Sequence, residues 1–325
     1  MKNNVKVSQI AKVIKKSKTF FIAGHQKPDG DSIGSALALA SVLKRLGKKV
    51  TVACADEIPS FLTFLNGVKQ IKKSVPKASK YDCAIILESV NFARMGDLIS
   101  PQQAKEIINI DHHPVFNNFG TVNYVVPSSS STAELILNVF EEMKIKLTKD
   151  EAECLYVGIL TDTGRFQQLN TTQNSHIAAA KLMAFGVIPD AVKKKIYDTN
   201  SLAAVKLLGM AISTMQTDFN GRFAYILLTK AMLKKSGVNP SELEALVNWT
   251  LAVEGVKAGA LFKEINKNET KVSFRSAAGV NILPIAQKLG GGGHKNAAGC
   301  SVKANITTAV KVIKNAFKEK FGNAR

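Results

Sequence analysis

Cysteine, histidine and acidic side chains are all scarce in this chain, and it has no long apolar run. Its 4 cysteines, Cys54, Cys83, Cys154 and Cys300, lie far apart in 325 residues with no Cys-x-x-Cys spacing. That spacing argues against a cysteine-built zinc site or a disulfide framework and leaves buried free thiols as the expectation. No apolar stretch approaches the ~20 residues a membrane span needs. The first one, Phe20-Phe21-Ile22-Ala23, is too short for a secretory core. A cytoplasmic protein with no membrane partner is therefore expected, long enough for two domains.

Acids number 25 against 44 lysines and arginines, a formal net charge of +19. Such an excess gathers phosphates and points to a polyanionic partner, although single runs such as Lys193-Lys194-Lys195 and Lys234-Lys235 read most simply as solvated helix faces. The scarce histidines are not scattered. Of 5, His25, His112 and His113 lie in polar clusters, His294 lies in a glycine-rich stretch, and only His176 stands apart. The clusters are His25 to Asp31, Leu87-Glu88, Asp111-His112-His113 and Thr161-Asp162-Thr163, each following an apolar run.

Periodicity places a helix over Val5–Lys16, a strand over Thr19–Gly24, a helix over Ser32–Leu46 ending at Gly47, and short strands at Lys49–Ala53, Cys83–Leu87 and Ile107–Ile110. That alternation predicts an α/β fold with a mainly parallel sheet and helices on both faces, ligands binding beyond the strand C-termini. From Ser131 to about Met215 the pattern is helical, over Ser131–Met143, Lys149–Leu160, Gln173–Phe185, Pro189–Tyr197 and Ser201–Met215. Strands return at Phe223–Leu228, Lys257–Lys263 and Lys271–Arg275, followed by helices at Ile282–Leu289 and about Thr307–Phe321. The expected organisation is a larger α/β domain over residues 1–190, a helical connector over 191–215 and a smaller α/β domain over 216–325, with a cleft between the two parts.

Asp29 and Asp31, spaced i, i+2 about Gly30, can turn both carboxylates to one side of a tight loop beside His25. Carboxylate with imidazole suits Mn²⁺, Mg²⁺, Co²⁺ or Zn²⁺. The plainer alternative is that Asp31 caps a helix starting at Ser32. Asp111-His112-His113 is more specific, since one imidazole can bind a metal with a carboxylate on its other nitrogen while the second meets a phosphate. Asp162 adds a carboxylate after Leu155–Leu160. Any one cluster alone suits a turn or a helix end; the four together favour a metal centre.

The segments His25-x-x-x-Asp29-Gly30-Asp31-x-x-Gly34-Ser35, Asp111-His112-His113, Leu160-Thr161-Asp162-Thr163-Gly164 and Gly290-Gly291-Gly292-Gly293-His294-x-x-Ala297-Ala298-Gly299 resemble the DHH/DHHA1 phosphoesterases. Lys206-Leu207-Leu208-Gly209, Glu254-Gly255-Val256 and Val272-Ser273-Phe274-Arg275-Ser276 are similar to the nanoRNase branch, bifunctional oligoribonucleases and 3′-phosphoadenosine-5′-phosphate phosphatases. The resemblance runs from about residue 5 to the C-terminus and implies that residues 1–190 are a DHH catalytic, metal-binding domain and residues 216–325 a DHHA1 substrate-binding domain.

It further implies two Mn²⁺ ions, with Mg²⁺ or Co²⁺ as chemical alternatives. His25, Asp29 and Glu88 would hold one, and Asp31, Glu88, His112 and Asp162 the other. Asp111 would orient His112, and His113 would touch the substrate phosphate. A pair about 3.5–4 Å apart activates a shared water in such centres. Gly291, Gly292, Gly293 and His294 would face a nucleotide, and Arg275 would clamp its terminal phosphate. The expected substrates are short RNA oligonucleotides and phosphorylated nucleotides, and the oligomeric state stays open, a homodimer included.

Three alternatives accompany that reading: a dinucleotide phosphodiesterase of the same family, a manganese pyrophosphatase, and a catalytically silent nucleotide or RNA binder. The last arises because the family has aspartate where this chain has Glu88. Replacing Glu88 by aspartate is accordingly expected to preserve or raise a manganese-dependent rate.

Overall fold

The computed structural model describes residues 7–114, 117–198, 201–238 and 240–321. The chain divides into two compact units, Met1–Thr199 and Asn200–Arg325. The division falls inside the stretch 191–215 expected as a connector, with one helix of that stretch on each side.

The first unit is built on strands β1 (Thr19–Ala23), β2 (Lys49–Val52), β3 (Tyr81–Leu87), β4 (Ala104–Asp111) and β5 (Val122–Val125). They lie in the order β2-β1-β3-β4-β5, and every pairing is parallel. Successive side chains point to opposite faces. Phe20, Ile22, Ile85, Leu87, Ile108 and Ile110 enter one large core with Ile10 and Ile14 of α1 (Val7–Lys16), Leu39 and Leu43 of α2 (Gly30–Arg45), Phe140 of α3 (Thr132–Glu142) and Ile159 of α4 (Lys149–Asp162). Phe21, Ala23, Ala84, Ile86 and Ile107 face the other way, onto Met95, Leu98 and Ile99. The expectation of helices on both faces is corrected here: the second face is covered by a 3₁₀ turn, Phe92–Met95, and the loop after it. The β3–β4 connection has apolar residues to cover the face, but Gly96 at φ 81° and Pro101 break it into short 3₁₀ turns.

The registers align the strand ends. Ala23 pairs with Ile86 and Leu87 with Ile110, so the residues just past β1, β3 and β4 emerge along one edge. Helix α2 starts there. Its N-cap is Asp29, whose Oδ1 accepts the Ser32 N–H at 2.9 Å. Asp31 is therefore inside the first turn and is not the cap.

Helices α2 and α4 cross closely, because glycine stands at the contact. A Cβ on Gly34 would lie 2.2 Å from the Cys154 carbonyl oxygen, and one on Gly158 would lie 2.7 Å from Asp31 Oδ1. At the far end Arg45 Nε donates to Glu151 Oε1 at 2.9 Å and ties the two helices together. Helices α5 (Gln173–Met183) and α6 (Pro189–Tyr197) complete the unit.

The second unit carries β6 (Gln216–Asp218), β7 (Phe223–Leu228), β8 (Ala258–Asn266), β9 (Glu269–Ser276), β10 (Gly292–Gly293) and β11 (Ala297–Val302). They form one sheet in the order β10-β11-β9-β8-β7-β6, parallel only between β7 and β8. Phe223, Phe262 and Phe274 pack on Ile313, Phe317 and Phe321 of α10 (Ile306–Phe321) and on Ala286 of α9 (Leu283–Lys288). On the opposite face Ile226, Leu228 and Leu261 meet Ala204, Leu207 and Ala211 of α7 (Leu202–Ile212). Helix α8 (Lys230–Ser236) and a 3₁₀ stretch, Pro240–Ala252, follow β7.

All four cysteines are buried and unpaired, as expected. Among the described residues no helix is long and apolar enough to cross a membrane. The close crossing of α2 and α4 yields a first prediction. Gly34→Ala should cost about 1–3 kcal/mol by overpacking, read as a lower denaturation midpoint, and unchanged stability would show that the crossing yields freely.

Candidate metal centre

His25 lies two residues past β1. Its Nδ1 sits 2.7 Å from the Gln26 carbonyl oxygen, and a carbonyl only accepts, so the ring proton is on Nδ1 and the Nε2 lone pair faces outward. Nε2 is 3.6 Å from Asp29 Oδ2 and 3.9 Å from Glu88 Oε2. Glu88 follows β3, is 1% exposed, and directs its other oxygen, Oε1, to 3.6 Å from His112 Nε2. His112, just past β4, has the same Nε2 at 3.4 Å from Asp162 Oδ2, at the last residue of α4. Two donor trios result, His25 with Asp29 and Glu88, and Asp31 with His112 and Asp162. Within each trio the ligand atoms lie within 4.8 Å of one another.

Neighbouring groups aim these side chains. Both Asp31 oxygens are engaged: Oδ2 accepts the Thr132 N–H at 2.6 Å and Oδ1 the Ala133 N–H at 2.8 Å. These amides open α3, so the helix N-terminus supports the buried carboxylate. Asn170 Nδ2 donates to Asp162 Oδ2 at 3.3 Å and to the Ser130 carbonyl at 2.9 Å.

Burial and crowding raise the proton affinity of Asp31, Glu88 and Asp162, whereas Asp29, beside His25 and the Ser32 N–H, is held below the usual carboxylate range despite its partial burial. Burial, reinforced by the charges of Asp29, Asp31 and Asp162, pushes the Glu88 carboxyl well above its usual range. Burial together with Asp31 and Asp29 pushes Asp162 up to about 8. Asp162 also ends a helix, where the backbone dipole disfavours negative charge. A divalent cation relieves all of these at once. The residues present fit such ions: Glu88 Oε2 is a buried oxygen with no hydrogen-bond partner, and the donors are the oxygen and imidazole atoms that Mn²⁺ and Mg²⁺ accept.

Asp111 behaves differently from the expectation that it orients His112. Its Oδ1 accepts the His113 N–H at 3.0 Å and lies 2.7 Å from His113 Nδ1. The chain bends after β4 so that His113 folds back over the strand end. Asp111 thus holds His113, while His112 reaches Glu88 and Asp162.

In the second unit the glycine run forms the β10–β11 hairpin. Gly292 pairs with Gly299 and Gly293 with Ala298, and the His294 N–H donates to the Ala297 carbonyl at 2.7 Å. A Cβ on Gly291 would lie 2.1 Å from the Gly299 carbonyl oxygen, and one on Gly293, at φ 135°, would lie 2.5 Å from that of Ala297. These two glycines are required by the hairpin itself, whereas the position of Gly292 is open. His294 is exposed. Asn296 Nδ2 pins the turn to the end of β9, donating to Ser276 Oγ at 2.9 Å and to the Ala277 carbonyl at 2.9 Å. Arg275 is half-buried and in register with Ala297, with its Nη1 donating to the Phe274 carbonyl at 3.0 Å.

Two family descriptions match the chain: the N-terminal domain of the DHH family over residues 19–159 and the DHHA1 domain over residues 220–319. A bifunctional oligoribonuclease and PAP phosphatase of Thermus thermophilus is 32% identical over 98% of this chain and 95% of its own length. The chain belongs to the DHH/DHHA1 phosphoesterase family. A Bacillus subtilis protein of the same description is 30% identical over 91% of this chain and 93% of its own. A solved exopolyphosphatase-related protein of Bacteroides fragilis shares the architecture at a TM-score of 0.89, with 27% identity, covering 97% of this chain and 96% of that one.

Within this DHH unit several supporting groups escaped the sequence reading. The amides of Thr132 and Ala133 lie 101 and 102 residues along the chain from Asp31, and Asn170 reaches Asp162 from 8 residues on, past the turn that ends α4. The serine run before α3 marked a helix start without revealing where that start points.

The raised carboxyls fix the sign of a pH effect. In the folded, metal-free chain Glu88 and Asp162 keep protons that the unfolded chain has lost, so stability falls as pH rises from about 4 toward about 8. An ion in the proton's place removes that fall. The Tm gain on adding Mn²⁺ should therefore be larger at about pH 8 than at about pH 5, and a gain independent of pH would contradict the assignment.

Proposed function

We propose that this chain is a manganese-dependent hydrolase that cleaves short oligoribonucleotides to mononucleotides and removes the 3′-phosphate of 3′-phosphoadenosine-5′-phosphate. The observation that carries the reading is Glu88, with one oxygen turned toward His25 and the other toward His112. One carboxylate between two donor trios suits a pair of ions, and phosphoesterases use such pairs. The activities named for the Thermus thermophilus and Bacillus subtilis relatives support the substrate class.

Divalent ions bound there supply an acidified water and positive charge against the phosphate. The chain's own groups do the remainder. Asp111 occupies His113 Nδ1 and sets that ring's orientation, which suits it to meet a phosphate oxygen. Asp31, fixed by two amides, and Asp162, fixed by Asn170, keep the second trio aimed. In the second unit Arg275 offers a planar fork for a terminal phosphate. Gly292 lets a nucleotide approach the backbone, with His294 beside it. The net charge of +19 draws anionic substrates toward the protein.

Purified full-length protein with Mn²⁺, offered RNAs of two to five nucleotides, 3′-phosphoadenosine-5′-phosphate and, for comparison, pyrophosphate, tests the reading. Mononucleotide and phosphate release from the first two is expected. Turnover of pyrophosphate alone, or binding without turnover, would sink it. His112→Ala removes a donor turned toward both Glu88 and Asp162 and should cost roughly 10³-fold in rate, the equivalent of several kcal/mol of charge stabilisation, with the far-ultraviolet circular dichroism unchanged. Asp31→Ala is a less clean test, because it also strips acceptors from the first turn of α3.

A further inference from the structure

Glu88 combines features that each cost stability. Its φ is 50°, in the left-handed region that side chains with a Cβ avoid and that aspartate or asparagine enters more readily than glutamate. It is 1% exposed, and its Oε2 has no hydrogen-bond partner. Such a residue persists where the surroundings hold it and use it. The surroundings do hold it: its N–H donates to the Ile110 carbonyl at 3.0 Å, and Leu87 before it ends the central strand β3. Ser89 Oγ after it donates back to the Leu87 carbonyl at 3.2 Å.

The side chain matches the span it has to cross. Two ligands each ~2.1 Å from a shared ion stand about 3–4 Å apart. Glu88 Oε1 is 3.6 Å from His112 Nε2, and Oε2 is 3.9 Å from His25 Nε2. Both values fall in that interval without any movement. With the backbone held, removing a methylene withdraws the carboxylate by up to about 1.5 Å, well beyond the roughly 0.5 Å such a constellation tolerates.

We propose that the left-handed backbone at residue 88 and the extra methylene of glutamate are a matched pair, so that in this chain glutamate, and not the shorter aspartate, spans the two trios and lets two ions load together. This rests on the metal-dependent reading above. It also reverses the expectation that the family's aspartate would serve here at least as well. Glutamate is kept at the cost of local backbone strain because only its length reaches both imidazoles.

Full-length wild type and Glu88→Asp, both stripped of metal, would be titrated with Mn²⁺ while free Mn²⁺ is followed by electron paramagnetic resonance, and the metal-free Tm of each would be recorded. Wild type should take two ions per chain. Glu88→Asp should take one, the second binding at least tenfold more weakly, with a metal-free Tm no lower than wild type because aspartate suits that backbone better. Two ions held by Glu88→Asp with wild-type affinities would overturn the inference and leave the metal-dependent reading standing. A metal-free Glu88→Asp that melts well below wild type, or fails to fold, would likewise overturn it. Wild type that binds no Mn²⁺ would overturn the metal-dependent reading itself, and the matched pair with it.

Discussion

Four carboxylates, Asp29, Asp31, Glu88 and Asp162, crowd one edge of the first sheet, and like charges at that spacing cannot all be ionised in a buried place unless cations stand among them. Much of the first unit can be read as the means of keeping them there. The parallel register brings the ends of β1, β3 and β4 level, delivering His25, Glu88 and His112 to the same edge. The glycine-lined crossing of α2 and α4 brings Asp31 and Asp162 in from a second direction. The start of α3 then supplies amides to Asp31, which is fully buried.

This arrangement divides labour between helix ends. Asp31 meets the two backbone N–H groups that open α3, whereas Asp162 stands where the end of α4 presents carbonyls. The first is anchored by the fold although burial raises its carboxyl above the usual range, and burial with the charges of Asp31 and Asp29 pushes Asp162 up to about 8. Asp111 and His113 form a hydrogen-bonded pair beside the trios, while His112 between them in sequence turns toward Glu88 and Asp162.

The second unit achieves a tight glycine hairpin by a different constraint. Gly291 and Gly293 have carbonyl oxygens where a Cβ would stand, and Asn296 ties the turn to β9 through several donors. The hairpin is therefore a stiff edge of the sheet carrying the exposed Gly292 and His294, next in register to Arg275.

The sequence by itself determined a good deal. The strands β1 to β4 and helices α1 to α4, the strands Phe223–Leu228 and Lys271–Arg275 and the buried thiols were all legible, because short apolar runs and helical periodicity are local patterns. The short strands β5, β6 and β11 were not legible, since a four-residue Val-Asn-Tyr-Val run, the polar Gln-Thr-Asp or an Ala-Ala-Gly-Cys run becomes strand only when a neighbour supplies the hydrogen bonds. The partner of Asp111, the anchoring of Asp31 by α3 and the left-handed backbone of Glu88 were likewise beyond the sequence. Each is set by groups tens of residues away or by a bend whose direction depends on packing, and spacing along a chain carries no record of the angle at which two helices cross or of the face a turn presents.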